Sequence, residues 1–205
     1  MNDVPALRRQ LVEAGGSIHR RRLTHGRTGN ISVRTKSGYL VTPTGCSLGE
    51  LHIDDLSVLD TEGHHSGGPP PTKETFLHLA ILRERPDLSA VVHTHSVASA
   101  AVSCLDGLDE AAALPPLTAY FTMRVGTVPL LPFAIPGDTS LGPAISQQAR
   151  AHTAMLLRNH GPVVAGTDLA SALDALEELE HAAELFLRLA PFGDRVRTVM
   201  TEEKR

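Results

Sequence analysis

Two histidines stand one residue apart in the run Ala90-Val91-Val92-His93-Thr94-His95-Ser96. The apolar, β-branched stretch before them reads as a strand, and on a strand residues i and i+2 face the same side. Two imidazoles projected side by side from a rigid strand end are donors that a divalent metal can use. A pair of surface or hydrogen-bonded histidines is the plain alternative. A further histidine at a strand end, His160, precedes Gly161-Pro162. The glycine there lets the backbone turn sharply, and the proline is expected to forbid continued ladder pairing. Glu74 falls in the first turn of a helix opened by Pro71-Thr72-Lys73, where the helix dipole stabilises a carboxylate. Three neutral imidazoles and one carboxylate around a divalent cation make a tetrahedral site of net charge about +1, a ligand set suited to zinc. Taken singly, His160 also fits a hydrogen-bonded core histidine, and Glu74 a surface residue complementing the dipole.

The elements that must carry these groups can be read from period and punctuation. Residues 4 to 23 hold apolar positions at Leu7, Leu11, Ala14 and Ile18, a helical spacing. The turn Thr24 to Asn30 feeds the alternating strand Ile31 to Arg34, and Ser37-Gly38 is expected to turn it into Tyr39 to Thr42. Leu56 to Asp60 reads as a short strand, and Gly63 to Pro71 as loop. Thr72 can cap a helix whose apolar face is Phe76, Leu77, Ala80 and Ile81. The histidine strand and a helix from Val97 to about Cys104 follow. Residues 107 to 127 give no clear element beyond the Pro115-Pro116 break. Val128 to Phe133 reads as extended and Asp138 to about Ala151 as helix. Ala154 to Leu157 and Val163 to Ala165 read as strands, and Leu169 to Leu189 as the strongest helix, capped by Thr167 or Asp168. Strands and helices intermingle without repeat or linker. The expectation is α/β: a single three-layer α/β/α domain over residues 1–205, with a central, mostly antiparallel sheet flanked by helices.

Composition narrows the chemistry. The chain is 41% hydrophobic and 20% charged, with a net charge of −4, so neither nucleic acid nor anionic membrane is an expected partner. Aromatic residues make up 3% with no Trp, which argues against base-stacking platforms and leaves an aliphatic core. Cys46 and Cys104 are far apart and in no ligand spacing, so reduced thiols are expected. No apolar run is long enough to span a membrane, and the start lacks a signal-peptide core, so the expected compartment is the cytoplasm.

Five motifs together resemble the class II aldolase/adducin family: Gly29-Asn30-Ile31-Ser32, Thr42-Pro43-Thr44-Gly45, Thr72-Lys73-Glu74, His93-Thr94-His95-Ser96 and Asn159-His160-Gly161. They run in family order from about residue 7 to residue 190. The stretches Val41 to Gly49, Pro71 to Glu74, Leu114 to Thr118 and Asn159 to Gly166 look most like the branch of 3-oxo-tetronate 4-phosphate decarboxylases. The resemblance implies that His93, His95 and His160 bind Zn2+, or another divalent cation such as Mn2+ or Co2+. It makes Glu74 a fourth ligand at rest and the acid/base once substrate displaces it. It places a phosphate pocket at Gly29, Asn30, Thr44, Gly45, Thr72 and Lys73, where backbone N–H groups, hydroxyls and a helix N-terminus can close on an oxyanion.

The implied substrate is a small phosphorylated sugar acid. The implied reaction is decarboxylation of a 3-dehydrotetronate 4-phosphate to dihydroxyacetone phosphate and CO2 through a metal-stabilised enediolate. A sugar-phosphate aldolase of the fuculose or rhamnulose 1-phosphate type, or a ribulose-5-phosphate 4-epimerase, would use the same apparatus. An adducin-type assembly domain is the non-enzymatic reading. Lys73 stands where the aldolases carry a small hydroxyl residue; it reads as a charge for the substrate's anions or as a solvated lysine. Relatives use a tyrosine from a neighbouring subunit in the region of Tyr120, which implies a further proton donor there; a buried core tyrosine is the plainer reading. Relatives assemble as tetramers, which implies a homotetramer. Arg27 reads as a phosphate ligand or a solvent-facing residue. The other histidines read as packing or solvent-facing groups; His78, one turn after Glu74 and on its helix face, also reads as a partner behind that carboxylate, with core packing or solvent the plainer alternative.

Overall fold

A computed structural model describes residues 4–199. Helix α1 (Val4–Arg20) opens the chain and buries Leu11, Ala14 and Ile18 of the four positions its spacing predicts, with Leu7 partly buried. Strands β1 (Asn30–Thr35) and β2 (Gly38–Val41) form a hairpin, followed by β3 (Ser57–Leu59) and β4 (His65–Gly67). Helix α2 (Thr75–Glu84), strand β5 (Ala90–His93) and helices α3 (Val97–Ser103) and α4 (Ala119–Arg124) come next. Then follow β6 (Leu130–Leu131), α5 (Gly142–Ala149), β7 (Ala154–Leu157), β8 (Gly161–Gly166) and α6 (Leu169–Leu189).

The strands make one eight-stranded sheet in the order β4-β3-β2-β1-β5-β8-β7-β6. All neighbours run antiparallel except β6 and β7, which are parallel. Alternation along the strands divides the core into two layers. Ala90 and Val92 face α1, α3, α4 and α6, where Leu11, Val102, Phe121 and Leu176 pack. Val91 faces α2 and α5, where Leu77, Ile81 and Ile145 pack. Helices thus cover both faces, and the three-layer α/β/α expectation holds. The long helix α6 starts behind Asp168, whose carboxylate accepts from the Ser171 N–H while the Ser171 hydroxyl accepts from the Asp168 N–H.

Several local expectations are corrected. Thr35 pairs with Gly38, so the hairpin turn is Lys36-Ser37, and Gly38 lies in the strand against the Leu59 carbonyl. The segment read as loop over 63–71 contains β4, an exposed edge strand with almost no apolar content to signal it. The unassigned stretch 107–127 contains α4, capped by the Thr118 hydroxyl. Helix α2 begins at Thr75, so its cap position is Glu74 and not Thr72, and Glu74 stands before the first turn and not within it. Pro162 lies inside β8, opposite Leu156 of β7; its missing N–H does not end the ladder, because on the other side its carbonyl still accepts from the Thr94 N–H.

Candidate active site

The centre of the sheet brings the motifs together. β1, β5 and β8 are neighbours, and their register sets Asn30 opposite His93 and His93 opposite Val163. β5 ends at His93, so His95 stands just beyond the strand and not on it. The turn Arg158 to His160 between β7 and β8 brings in the third imidazole. Asn159 takes a left-handed conformation there (φ 54°), which asparagine tolerates better than most side chains. Gly161 serves close approach and not a positive φ: a Cβ would run into the Thr94 carbonyl oxygen.

Three nitrogens converge. His160 Nε2 lies 3.3 Å from His93 Nε2 and 3.0 Å from His95 Nε2. Glu74 completes the group, with Oε2 3.5 Å from His93 Nε2 and Oε1 3.5 Å from His160 Nε2. A tetrahedral zinc ion with ligands at about 2.0–2.1 Å separates its donors by roughly 3.3 Å, so the spacing fits. The donor chemistry fits as well. His93 Nδ1 donates to the Pro162 carbonyl at 2.8 Å, leaving a lone pair on Nε2. A proton shared between two of these rings could satisfy only one pair, whereas a cation is met by all three.

Electrostatics keeps the rings in the ligating form. Burial drives the His93 pKa well below the usual histidine range, with His160 and His95 adding to the effect. His95 is lowered to about 4, first by burial and then by His160, against the pull of Glu74. His160 is lowered by burial, again opposed by Glu74. Neutral imidazoles are what a divalent cation requires.

Beside the cluster opens a cleft of about 190 Å³. Gly29, Asn30, Thr44, Gly45, Thr72 and Lys73 all line it, together with Glu74, His95, His160 and Arg27. Gly29 is held at φ 79° between the His93 carbonyl and the Thr24 hydroxyl, a place with no room for a side chain. The Thr72 hydroxyl accepts from the Glu74 N–H at 3.3 Å and so ties the loop to the carboxylate. Lys73 and Arg27 are both exposed, two cations available to an anionic ligand. A larger groove of about 650 Å³ between α1 and α6 includes no histidine in its lining.

Tyr120 does not join this cleft within one chain. It sits on α4, 62% exposed, with the Arg124 guanidinium 5.7 Å from its ring centre, so the buried-core reading is overturned. Of the readings open to His78 (packing, solvent, or a partner behind Glu74), the last is the one the contacts fit: the ring is fully buried and hydrogen-bonded. Its Nε2 is 2.5 Å from Asn30 Oδ1 and its Nδ1 2.7 Å from the Ser32 hydroxyl. Asn30 Nδ2 in turn donates to Glu74 Oε2 at 2.7 Å. The available signal was the spacing of four from Glu74. Glu180 carries no such signal in its spacing. From α6 it accepts from the hydroxyls of Ser96 and Ser99 and the N–H groups of Ala98 and Ser99, pinning the chain just after His95.

Comparison with known proteins agrees with the motifs. Residues 9–187 match the family model of the class II aldolase and adducin N-terminal domain. The chain is 44% identical over 194 residues to the 3-oxo-tetronate 4-phosphate decarboxylase of Haemophilus influenzae, covering 94% of this chain and 91% of that protein. It is 32% identical over 198 residues to the L-fuculose phosphate aldolase of Escherichia coli, covering 96% and 90%. The crystal structure of YgbL from Escherichia coli superposes with a TM-score of 0.92 at 39% identity, covering 97% of this chain and 95% of that one.

Proposed function

Because this chain belongs to the class II aldolase and adducin family, a lyase framework is its premise, and we propose that it decarboxylates a 3-oxo-tetronate 4-phosphate to dihydroxyacetone phosphate and CO2. The observation that carries this reading is the convergence of three imidazoles and one carboxylate beside a cleft lined by loop amides, hydroxyls and two cations. His93, His95, His160 and Glu74 would hold the metal, with zinc the best match to the donor set. When bound, a divalent cation supplies Lewis-acid stabilisation of negative charge on substrate oxygens.

The chain's own groups do the rest. The loops at Gly29-Asn30, Thr44-Gly45 and Thr72-Lys73 bind the phosphate through N–H groups and hydroxyls, and Lys73 and Arg27 offset the charge of phosphate and carboxylate. The C1–C2 bond breaks, CO2 departs, and its bonding electrons pass into the C2–C3 enediolate. Glu74, having taken up a proton from solvent at Oε1, the oxygen that Asn30 does not hold, then passes it to C2, giving the hydroxymethyl ketone of the product and returning Glu74 to the carboxylate.

The reading extends to assembly and location. One domain over residues 1–205 forms a homotetramer in the cytoplasm, and Tyr120 of one subunit serves as a proton donor at its neighbour's site. Exposed Tyr120, Met123, Phe133 and Ile135 support such a contact. Among the described residues, no helix is long and apolar enough to cross a membrane.

The similarity to L-fuculose phosphate aldolase favours a second reading, aldol cleavage of a ketose 1-phosphate. Synthetic 3-oxo-tetronate 4-phosphates, fuculose 1-phosphate and ribulose 5-phosphate separate the alternatives by their products. Release of CO2 with dihydroxyacetone phosphate supports the proposal. Lactaldehyde or an epimer without CO2 replaces it, and no turnover of any of them with no bound metal leaves an assembly domain.

A further inference from the structure

Behind the cleft runs a buried chain of side chains, Ser32–His78–Asn30–Glu74, with links of 2.7, 2.5 and 2.7 Å. Ser32 and His78 are 0% exposed and Asn30 4%, so water cannot substitute for a missing partner. Its direction follows from the carboxylate end. A carboxylate only accepts, so the Asn30 amide nitrogen faces Glu74 and the amide oxygen faces His78. His78 Nε2 therefore donates, and its Nδ1 accepts from the Ser32 hydroxyl.

We infer that His78 is a positioning residue: by fixing the Asn30 amide it pins Glu74 Oε2 and leaves Oε1 turned toward His160 and the cleft. The separation of 3.5 Å between Oε1 and His160 Nε2 is the consequence. Loss of the Nε2 donor would free the Asn30 amide to rotate, and its oxygen would then repel the carboxylate it now holds. A histidine with no role beyond its own packing and hydrogen bonds would be replaced by an apolar side chain with some loss of stability but none of metal affinity. This inference rests on the metal-site reading above, and its test must distinguish the two.

The measurement is zinc affinity of chelator-treated protein, by competition with a chromophoric chelator, with melting curves to show folding. His78→Leu should bind zinc about tenfold more weakly, at the low end of the roughly 10–100-fold cost of disturbing a ligand's outer partner. His78→Gln, whose amide nitrogen can stand near the position of Nε2, should recover most of the loss. In a Glu74→Ala background, His78→Leu should cause no further loss, because its effect passes through that carboxylate. Wild-type affinity in His78→Leu, or equal losses with Glu74 present and absent, overturns the role. If His78→Leu does not fold, His78→Gln must outbind His78→Asn, which reaches only toward Ser32; the reverse order overturns it. If wild type binds zinc no better than His93→Ala, the metal reading itself fails.

Discussion

His93 Nδ1 donates to the Pro162 carbonyl at 2.8 Å, and this bond decides which ring nitrogen faces the histidine cluster. The same carbonyl accepts from the Thr94 N–H, so one proline on β8 aligns both the ring and the backbone of the β5 end. Proline contributes by lacking an N–H but keeping an acceptor. The orientation of the His93 ring is thus built into the β5–β8 pairing.

Removing a ring from the cluster should remove the metal. His160→Ala is expected to lose most bound zinc by elemental analysis. Decarboxylation should fall at least about 100-fold, beyond the usual cost of disturbing an outer partner. Full metal content with full activity in this variant would refute the ligand assignment.

Glu74 is expected to matter more for proton transfer than for folding. Glu74→Gln keeps the shape of the side chain and can still meet Asn30, but cannot deliver a proton as a carboxylic acid does. Its kcat should fall by about 10²–10⁴, the usual contribution of general acid–base catalysis, with the melting temperature little changed.

Lys73 lines the cleft beside Gly137, where an added Cβ would lie 3.5 Å from Lys73 Cβ. Lys73→Ser should raise KM for the keto acid phosphate about tenfold, a loss of roughly 1.4 kcal/mol of binding. An unchanged KM and kcat would make it a solvated lysine.

Gly161→Ala should destabilise the fold by about 1–3 kcal/mol in urea denaturation, the usual cost of overpacking, because the added methyl meets the Thr94 carbonyl. Since Thr94 separates His93 from His95, zinc affinity should fall along with stability.

Asp168 gives the pH-dependent case. Its pKa is lowered, chiefly by the Ser171 N–H bond, so its cap stabilises the fold above the unfolded value of about 4 and fades as the pH falls through the lower folded value. Asp168→Ala should cost about 1 kcal/mol at neutral pH. The difference from wild type should narrow on acidification below about pH 4; a difference constant down to pH 2 would contradict the cap.

What the sequence determined by itself was local or motif-borne. The period of residues 169–189 gave α6 its bounds, and the residue types at 74, 93, 95 and 160 identified the groups that meet at one point. Helical and strand periods mark which face of a segment is apolar, and a motif carries its own chemistry. Only the tertiary structure decided what each polar group touches. His78 meets Asn30 across 48 residues, and Glu180 meets Ser96 across 84. The edge strand β4 exists through its pairing with β3, and the exposure of Tyr120 depends on where α4 lands on α6. A buried hydrogen bond between distant residues leaves no period in the chain, because its partners are chosen by how the layers stack and not by their neighbours in sequence.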